Sequence, residues 1–282
     1  MRRNRFVSEI VCLLVCGAPG AAQETRTRLQ ARHAAGERFT LHRAEQTEGR
    51  ARITIEGEEK PQEHPVSSLQ ESLTQNRVLE VDDGKVRALE RKFDKHRSET
   101  RAAGVERPEK VKSPLEGKTV VLRRDGDRTA VERAEKIPAE ELAGLALDPD
   151  PFLLSLPADE IPVGHKWEIP QETLVTFFSR GEPGVTYTKA KAECRFEKIE
   201  PRSGADCAVV RVSLEVEGKG KNEFTVVTRL KGTLWIAVAE RRYTGLELEG
   251  TFETSASDPK EKARVRTSGK IQIKETLAYV RG

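Results

Sequence analysis

Five histidines, His33, His42, His64, His96 and His165, are the residues best suited to hold a metal or move a proton, and their spacing supports neither role. A helical zinc site needs two histidines four apart, and no pair here meets that spacing. Asp82 with Asp83 and Glu140 with Glu141 are adjacent carboxylates. Acid–base work needs a pocket that shifts such groups, whereas a turn or a first helical turn leaves them solvated. Asp125-Gly126-Asp127 lacks the remaining oxygens of a calcium loop, and Gly218-Lys219-Gly220-Lys221 lacks the phosphate-loop pattern. There is no G-x-S-x-G elbow. The sequence predicts no catalytic residue, no metal site and no cofactor, so the chain reads as a non-enzyme.

Two pairs of residues remain. Cys194 and Cys207 flank an expected hairpin turn at Pro201-Arg202-Ser203-Gly204 and are a disulfide candidate in an oxidising compartment, although their opposite parity demands a bulge or an offset register. Trp167 and Trp235 are the only tryptophans, and they read either as the walls of a ligand cavity or as plugs of the core.

The elements that must position these residues are strands. Phe224, Val226, Thr228, Leu230, Gly232, Leu234, Ile236 and Val238 share one parity, with Arg229, Lys231, Thr233 and Trp235 on the other, which is the period of a sheet with two unlike faces. Thr188–Phe196, Ala208–Val216 and Leu246–Phe252 repeat the pattern, as do Ile271, Ile273, Leu277 and Tyr279. Gly232 predicts a bulge or a sharp coil. Asp82-Asp83-Gly84 and Arg124-Asp125-Gly126-Asp127 predict hairpin turns, because Asp and Gly tolerate positive φ. Pro138–Leu145 predicts one short helix, and residues 27–35 could form another. The fold class is mainly β: a curved antiparallel sheet, forming an open or half barrel or a sandwich, with one or two short helices. Residues 23–147 form an N-terminal β-rich half, 148–162 a Pro-rich connection and 163–282 a C-terminal β-rich half, both halves belonging to one continuous domain. Residues 102–112 read as a second linker.

Arg2, Arg3 and Arg5, the apolar run Phe6–Cys16 and the small residues Gly17–Ala22 form a signal-peptide pattern over residues 1–22, with cleavage at Ala22/Gln23. The expected location is therefore the periplasm or the cell exterior. Losing three Arg and one Glu takes the net charge from +3 to +1. A near-neutral chain that is 5% aromatic lacks the cationic face and stacking platforms of a nucleic-acid binder. The basic run Arg87–Arg101 carries interleaved acids and reads as solvated strand faces or loops.

Leu156-Pro157, followed by Val163-Gly164-His165-Lys166-Trp167, resembles the LP...V.VG..W signature of uncharacterised secreted bacterial β-rich proteins of the domain-of-unknown-function type. The Gly232 and Gly250 strands, Tyr187 and Cys207 echo the same group, and His165 departs from it where a small acidic residue is usual. More loosely, the strand pattern is similar to the half-barrel lipoprotein carriers of the bacterial envelope. The resemblance implies no catalytic residues. The signal pattern, together with the expected curvature and apolar alternation of the sheet, predicts an exported envelope protein that binds a lipid or other apolar ligand on the concave face of that sheet, touching membranes transiently if at all. A structural module with a solidly packed core, partnered by an envelope protein, is the alternative, and a secreted hydrolase comes third.

Overall fold

A computed structural model describes residues 26–126, 128–134, 136–143, 145–147, 151–181, 184–258 and 262–280. The expected signal segment and its cleavage point lie outside them. The strands are β1 (Arg26–Thr27), β2 (Arg38–Ile55), β3 (Gln62–Asp82), β4 (Lys85–Arg101), β5 (Glu109–Lys112), β6 (Thr119–Asp125), β7 (Arg128–Ala134), β8 (Ile161–Pro162), β9 (Lys166–Ile169), β10 (Thr186–Arg202), β11 (Ala205–Lys219), β12 (Thr225–Ala237), β13 (Arg242–Asp258) and β14 (Ala263–Tyr279). The helices are α1 (Ala139–Ala143), α2 (Pro151–Leu154) and α3 (Gln171–Gly181).

Twelve strands form one antiparallel sheet in the order β7-β6-β4-β3-β2-β14-β13-β12-β11-β10-β9, with β5 on the flank of β4; β1 and β8 pair separately. The sheet is open, since its end strands β7 and β9 are not neighbours. Strands of both halves belong to it, because β14 pairs with β2 from Tyr279↔Phe39 to Ala263↔Ile55. The predicted turns are in place, with Asp83 and Gly84 at φ 46° and 74° and Ser203 and Gly204 at 52° and 83°. Two expectations fail locally. Residues 109–112 of the supposed linker are strand β5, hydrogen-bonded to β4, and residues 28–34 form no helix.

One face of the sheet, here the inner face, carries the core. Phe196, Val210, Leu234, Leu246 and their neighbours pack against Phe152 of α2, Leu174 of α3, and Leu29, Leu115 and Leu147 from the connecting segments. The outer face is charged, apart from a small cluster of Cys207, Val209, Trp235 and Ala237. Twist alone does not shape the sheet. Gly232, Gly250 and Gly269 sit on adjacent strands on a diagonal, and a Cβ at each would overlap the carbonyl of Glu247, Arg229 or Glu48 respectively. Neighbouring strands approach so closely there that a side chain has no room. The register through Gly232 is unbroken, so the predicted bulge is absent and the coil remains; the irregularity in this strand pair falls at Trp235/Ile236.

Gly250→Ala is expected to cost about 2–3 kcal/mol in urea unfolding, the scale of forced overpacking. Gly204→Ala, at φ 83° with nothing within 4 Å, is expected to cost nearer 1 kcal/mol from backbone strain alone. Equal losses would show that the close strand approach is not what selects glycine.

Candidate functional site

Three successive cross-sheet rows of directly opposed inner-face residues define the site. The first runs Phe196, Val210, Leu234, Leu246, Glu275, Arg43, Ser72, His96. The second runs Cys194, Val212, Gly232, Leu248, Ile273, Glu45, Gln70, Ser98 and the third Ala192, Leu214, Leu230, Gly250, Ile271, Thr47, Ser68, Thr100. In each, the residues on β10–β13 are apolar or glycine and those on β2–β4 are polar or charged. One uninterrupted surface thus changes character at the β13–β14–β2 seam. Antiparallel pairing makes this possible, because opposed side chains lie on the same face a few ångströms apart.

The seam is held by a buried carboxylate. Glu275, 1% exposed, accepts a hydrogen bond from Arg43 Nη1 at 2.7 Å and one from the Tyr243 hydroxyl at 2.7 Å. Arg43 also reaches Glu45 at 3.4 Å. A charge removed from water is tolerated only when paired and hydrogen-bonded, and Glu275 has both.

Beyond the seam, Arg43, Glu45, Gln70, Ser72, His96, Ser98, Ser113 and Glu141 line a cavity of about 350 Å³. Helix α1 overhangs it, and the Ser113 hydroxyl donates to Glu141 at 3.1 Å. His96 is half-buried, and no described group hydrogen-bonds its Nδ1. Burial pushes its pKa below the ordinary value, and the nearby charges of Glu141 and Glu116 only partly counter that, so the imidazole is neutral at pH 7. Farther along, the buried Arg91 donates to Asn76 at 2.8 Å and to the carbonyls of Ala146 and Leu147, tying the connection to the sheet. The run Arg87–Arg101, read as solvated, therefore holds one buried arginine and one half-buried histidine.

The residues singled out in the sequence do not meet. Trp167 is opposite Cys194 on the inner face and packs against the core, with His165 stacked at 6.1 Å. Trp235 is on the outer face, 7% exposed, with the Arg202 guanidinium 3.6 Å from its ring centre. A sheet separates them, so they cannot wall one cavity. The cysteines are likewise on opposite faces: Cys194 belongs to the main core, whereas Cys207 belongs to the Trp235 cluster. They are not bridged, which corrects the disulfide expectation. The anticipated bulge exists, between Phe196 and Lys198, but it leaves Cys207 opposite Glu200. Burial raises the Cys207 pKa despite Thr244 and Arg202, which suits a packing role.

An outer-face groove of about 910 Å³ is larger and contains Trp235. It holds Lys166, Arg195, Arg211, Lys231 and Lys274 against Glu193, Glu197, Glu247 and Glu249. Ion pairs such as Arg211–Glu197 at 2.7 Å and Lys274–Glu247 at 3.1 Å largely cancel its field. Among the described residues no three His, Cys, Asp or Glu side chains converge as metal ligands, and no helix is long and apolar enough to cross a membrane.

These features define a class: an open, antiparallel β-sheet protein with helices on one face and a divided inner surface. No family model matches the chain, and no curated protein matches it. Among solved structures it is similar to DynF from the dynemicin biosynthesis pathway of Micromonospora chersina, at 7% identity over 98% of this chain and 94% of that one, with a TM-score of 0.23. It is also similar to a DUF1329 family protein from Desulfovibrio piger, at 9% identity over 85% and 86% of the two chains, with a TM-score of 0.16. Likeness at those scores carries no argument, and the site rests on register and contacts alone.

Arg43→Met is expected to cost about 3–5 kcal/mol in urea unfolding, since it strands a buried carboxylate, while Tyr243→Phe removes one hydrogen bond and is expected to cost about 1–3 kcal/mol. A loss below about 1 kcal/mol for Arg43→Met would mean that water or another group replaces Arg43 at the Glu275 carboxylate.

The lowered His96 pKa sets a sign. The unfolded chain binds the proton more tightly, so stability falls as pH drops below about 6.5 towards the folded value. Glu37 acts the same way at lower pH: burial raises its pKa, but His33 and Arg242 outweigh that and lower it. Thermal unfolding at pH 7 and pH 5 is expected to show a smaller acid loss in His96→Gln than in the parent chain; an unchanged loss would exclude His96 as a source.

Proposed function

We propose that the protein is an exported, non-enzymatic binder of an amphiphile, with the apolar part of the ligand on the β10–β13 wall and its polar end at the Arg43–His96 cavity. The observation that carries this reading is the division of one inner face into contiguous apolar and polar fields across three successive rows. A protein that needs only a packed core gains nothing from polar residues on the face that its helices should cover. Binding proteins, by contrast, combine a predominantly apolar wall with a few polar groups that orient the ligand.

Access is provided at the margin of the helical cover. Val175 and Phe178 of α3, and Phe252 and Ile273 on the sheet, are only partly buried at the edge of the core. A ligand entering there displaces half-buried side chains instead of opening the sheet. Export rests on the signal-like pattern of residues 1–22, and places the bound ligand in the periplasm or outside the cell. The kinship with secreted β-rich proteins rests on the residues 156–167 quoted above.

One observation favours the packed interaction module. Every apolar side chain that β10–β13 contribute to the three rows is at most 5% exposed without a ligand, and Ile271 is 8% exposed, so the protein's own helices and curvature already cover the wall, and a ligand would have to displace that cover.

Native mass spectrometry of the mature protein, purified from the envelope of an expressing bacterium, separates the two. The amphiphile reading predicts a mass above that of the polypeptide and an extractable apolar molecule. A bare polypeptide mass, unchanged after incubation with envelope lipid extract, would reject it in favour of the packed module.

A further inference from the structure

We infer that the segment before β2, Arg26–Ala35, is a drawstring: seated, it holds the curl of the sheet and its helical cover closed over the inner face, and released, it admits the ligand. This rests on the amphiphile reading above, in which a ligand must displace that cover. The inference comes from what the segment ties together. The Arg32 N–H donates to the Arg241 carbonyl in the β12–β13 turn at 2.8 Å, and the next N–H, of His33, donates to the Gly84 carbonyl in the β3–β4 turn at 2.9 Å. In the strand order those two turns are four strand spacings apart, about 19 Å on a flat sheet. Consecutive residues are only about 3.8 Å apart, so the segment crosses the mouth where the curl of the sheet brings the two turns together. At its other end β1 pairs with β8 through Thr27↔Ile161, and β8 leads out of α2 in the cover. One short segment therefore holds two distant turns and the cover at once.

Its hold is of a kind that can be let go. The ladder with β8 is two residues long, and Pro162 has no N–H to donate to it. The ion pairs along the segment are long and half exposed, Arg28–Glu160 at 4.0 Å and Arg32–Asp83 at 3.6 Å. Arg241 donates to the Gln30 carbonyl at 3.2 Å and to its side-chain oxygen at 3.3 Å, but from a left-handed backbone at φ 54°. Burial, and then the like charges of Arg32 and Arg28, lower the Arg241 pKa, with Asp83 only partly countering them. Leu29, 0% exposed, is the anchor that reseats the segment in the core. Next to β2 the chain is fixed, because the Gly36 N–H donates to the Val78 carbonyl and the Val78 N–H to the Glu37 carbonyl, each at 2.9 Å; Gly36, at φ 82°, is the pivot. A segment held by few buried contacts opens at a lower free energy than the sheet, and its release breaks no ladder of the twelve strands.

A reversible lock tests this. A Cβ at Gly84 would lie 3.2 Å from that of Arg32, so Arg32→Cys/Gly84→Cys brings two thiols within disulfide reach and fixes the segment to the β3–β4 turn, while reduction releases it in the same chain. Cys194 and Cys207 are buried and stay out of the exchange. In a Trp235→Phe background, quenching of Trp167 by dodecanoate brominated along its chain reports loading. Loading is expected to be at least tenfold slower in the oxidised form than in the reduced one. Arg241→Gly, which suits the left-handed turn and removes both ties to Gln30, is expected to load at least threefold faster than the parent, and serves if the cysteine pair fails to fold. Without ligand, hydrogen exchange at the Leu147 and Leu174 amides of the cover is expected to slow at least tenfold on oxidation. Equal loading in both redox states, or cover exchange indifferent to oxidation, would overturn the drawstring while leaving the amphiphile reading intact. No quenching in either state would reject the amphiphile reading, and cover exchange alone would then decide the drawstring.

Discussion

The pairing of β14 with β2 is the constraint on which the rest of the molecule depends. It joins the last strand of the chain to the first long one, and so merges strands from both halves into one sheet. Its register places Glu275 opposite Arg43 and Leu246 opposite Glu275. A slip of one residue would turn Glu275 to the outer face and bring its neighbours, the charged Lys274 and the polar Thr276, inward, so the buried ion pair also guards the alignment. Because the carboxylate is satisfied from both sides, by Arg43 on β2 and Tyr243 on β13, the seam is a structural joint and the boundary of the site at once.

The two faces have different physical tasks. Inward, the diagonal of Gly232, Gly250 and Gly269 lets adjacent strands coil closely while Leu230, Leu234, Leu246 and Leu248 remain buried. Outward, charge pairs cover the sheet, and exposed pairs of that kind contribute little to stability, about 0–1 kcal/mol each. Their value lies in keeping a broad surface soluble. The larger outer groove is the weaker candidate: its charges are largely paired with one another, and it has no continuous apolar wall for a ligand to recognise.

Much of the sheet was legible because period-2 patterning is a local signal. The parity of Phe224–Val238 named the inner face of β12 correctly and put Trp235 on the other side, and the Asp-Gly and Ser-Gly turns fell where positive φ was needed. The site was harder to read, since it is made by pairing between strands far apart in sequence. One trace was nonetheless present. In the run Ile271, Ile273, Leu277, Tyr279 the same-parity position left out is Glu275, and Arg43 follows Phe39 and Leu41 in the same manner. A charge on the buried parity of a strand marks either a solvent-exposed end or a paired interior group, and only the register identifies its partner. The cysteines do not meet because the bulge between Phe196 and Lys198 leaves them on opposite faces, and the tryptophans do not meet because Trp167 lies on the inner face of β9 and Trp235 on the outer face of β12.

With one tryptophan on each face, the location of a bound ligand can be read directly. An amphiphile brominated along its twelve-carbon chain quenches indole fluorescence at short range, and Trp235→Phe and Trp167→Phe each leave a single reporter. Binding on the inner face predicts saturable quenching of Trp167 in the first variant and none of Trp235 in the second. Quenching of Trp235 with Trp167 untouched would place the ligand in the outer groove and contradict the assignment of the divided inner face as the binding site.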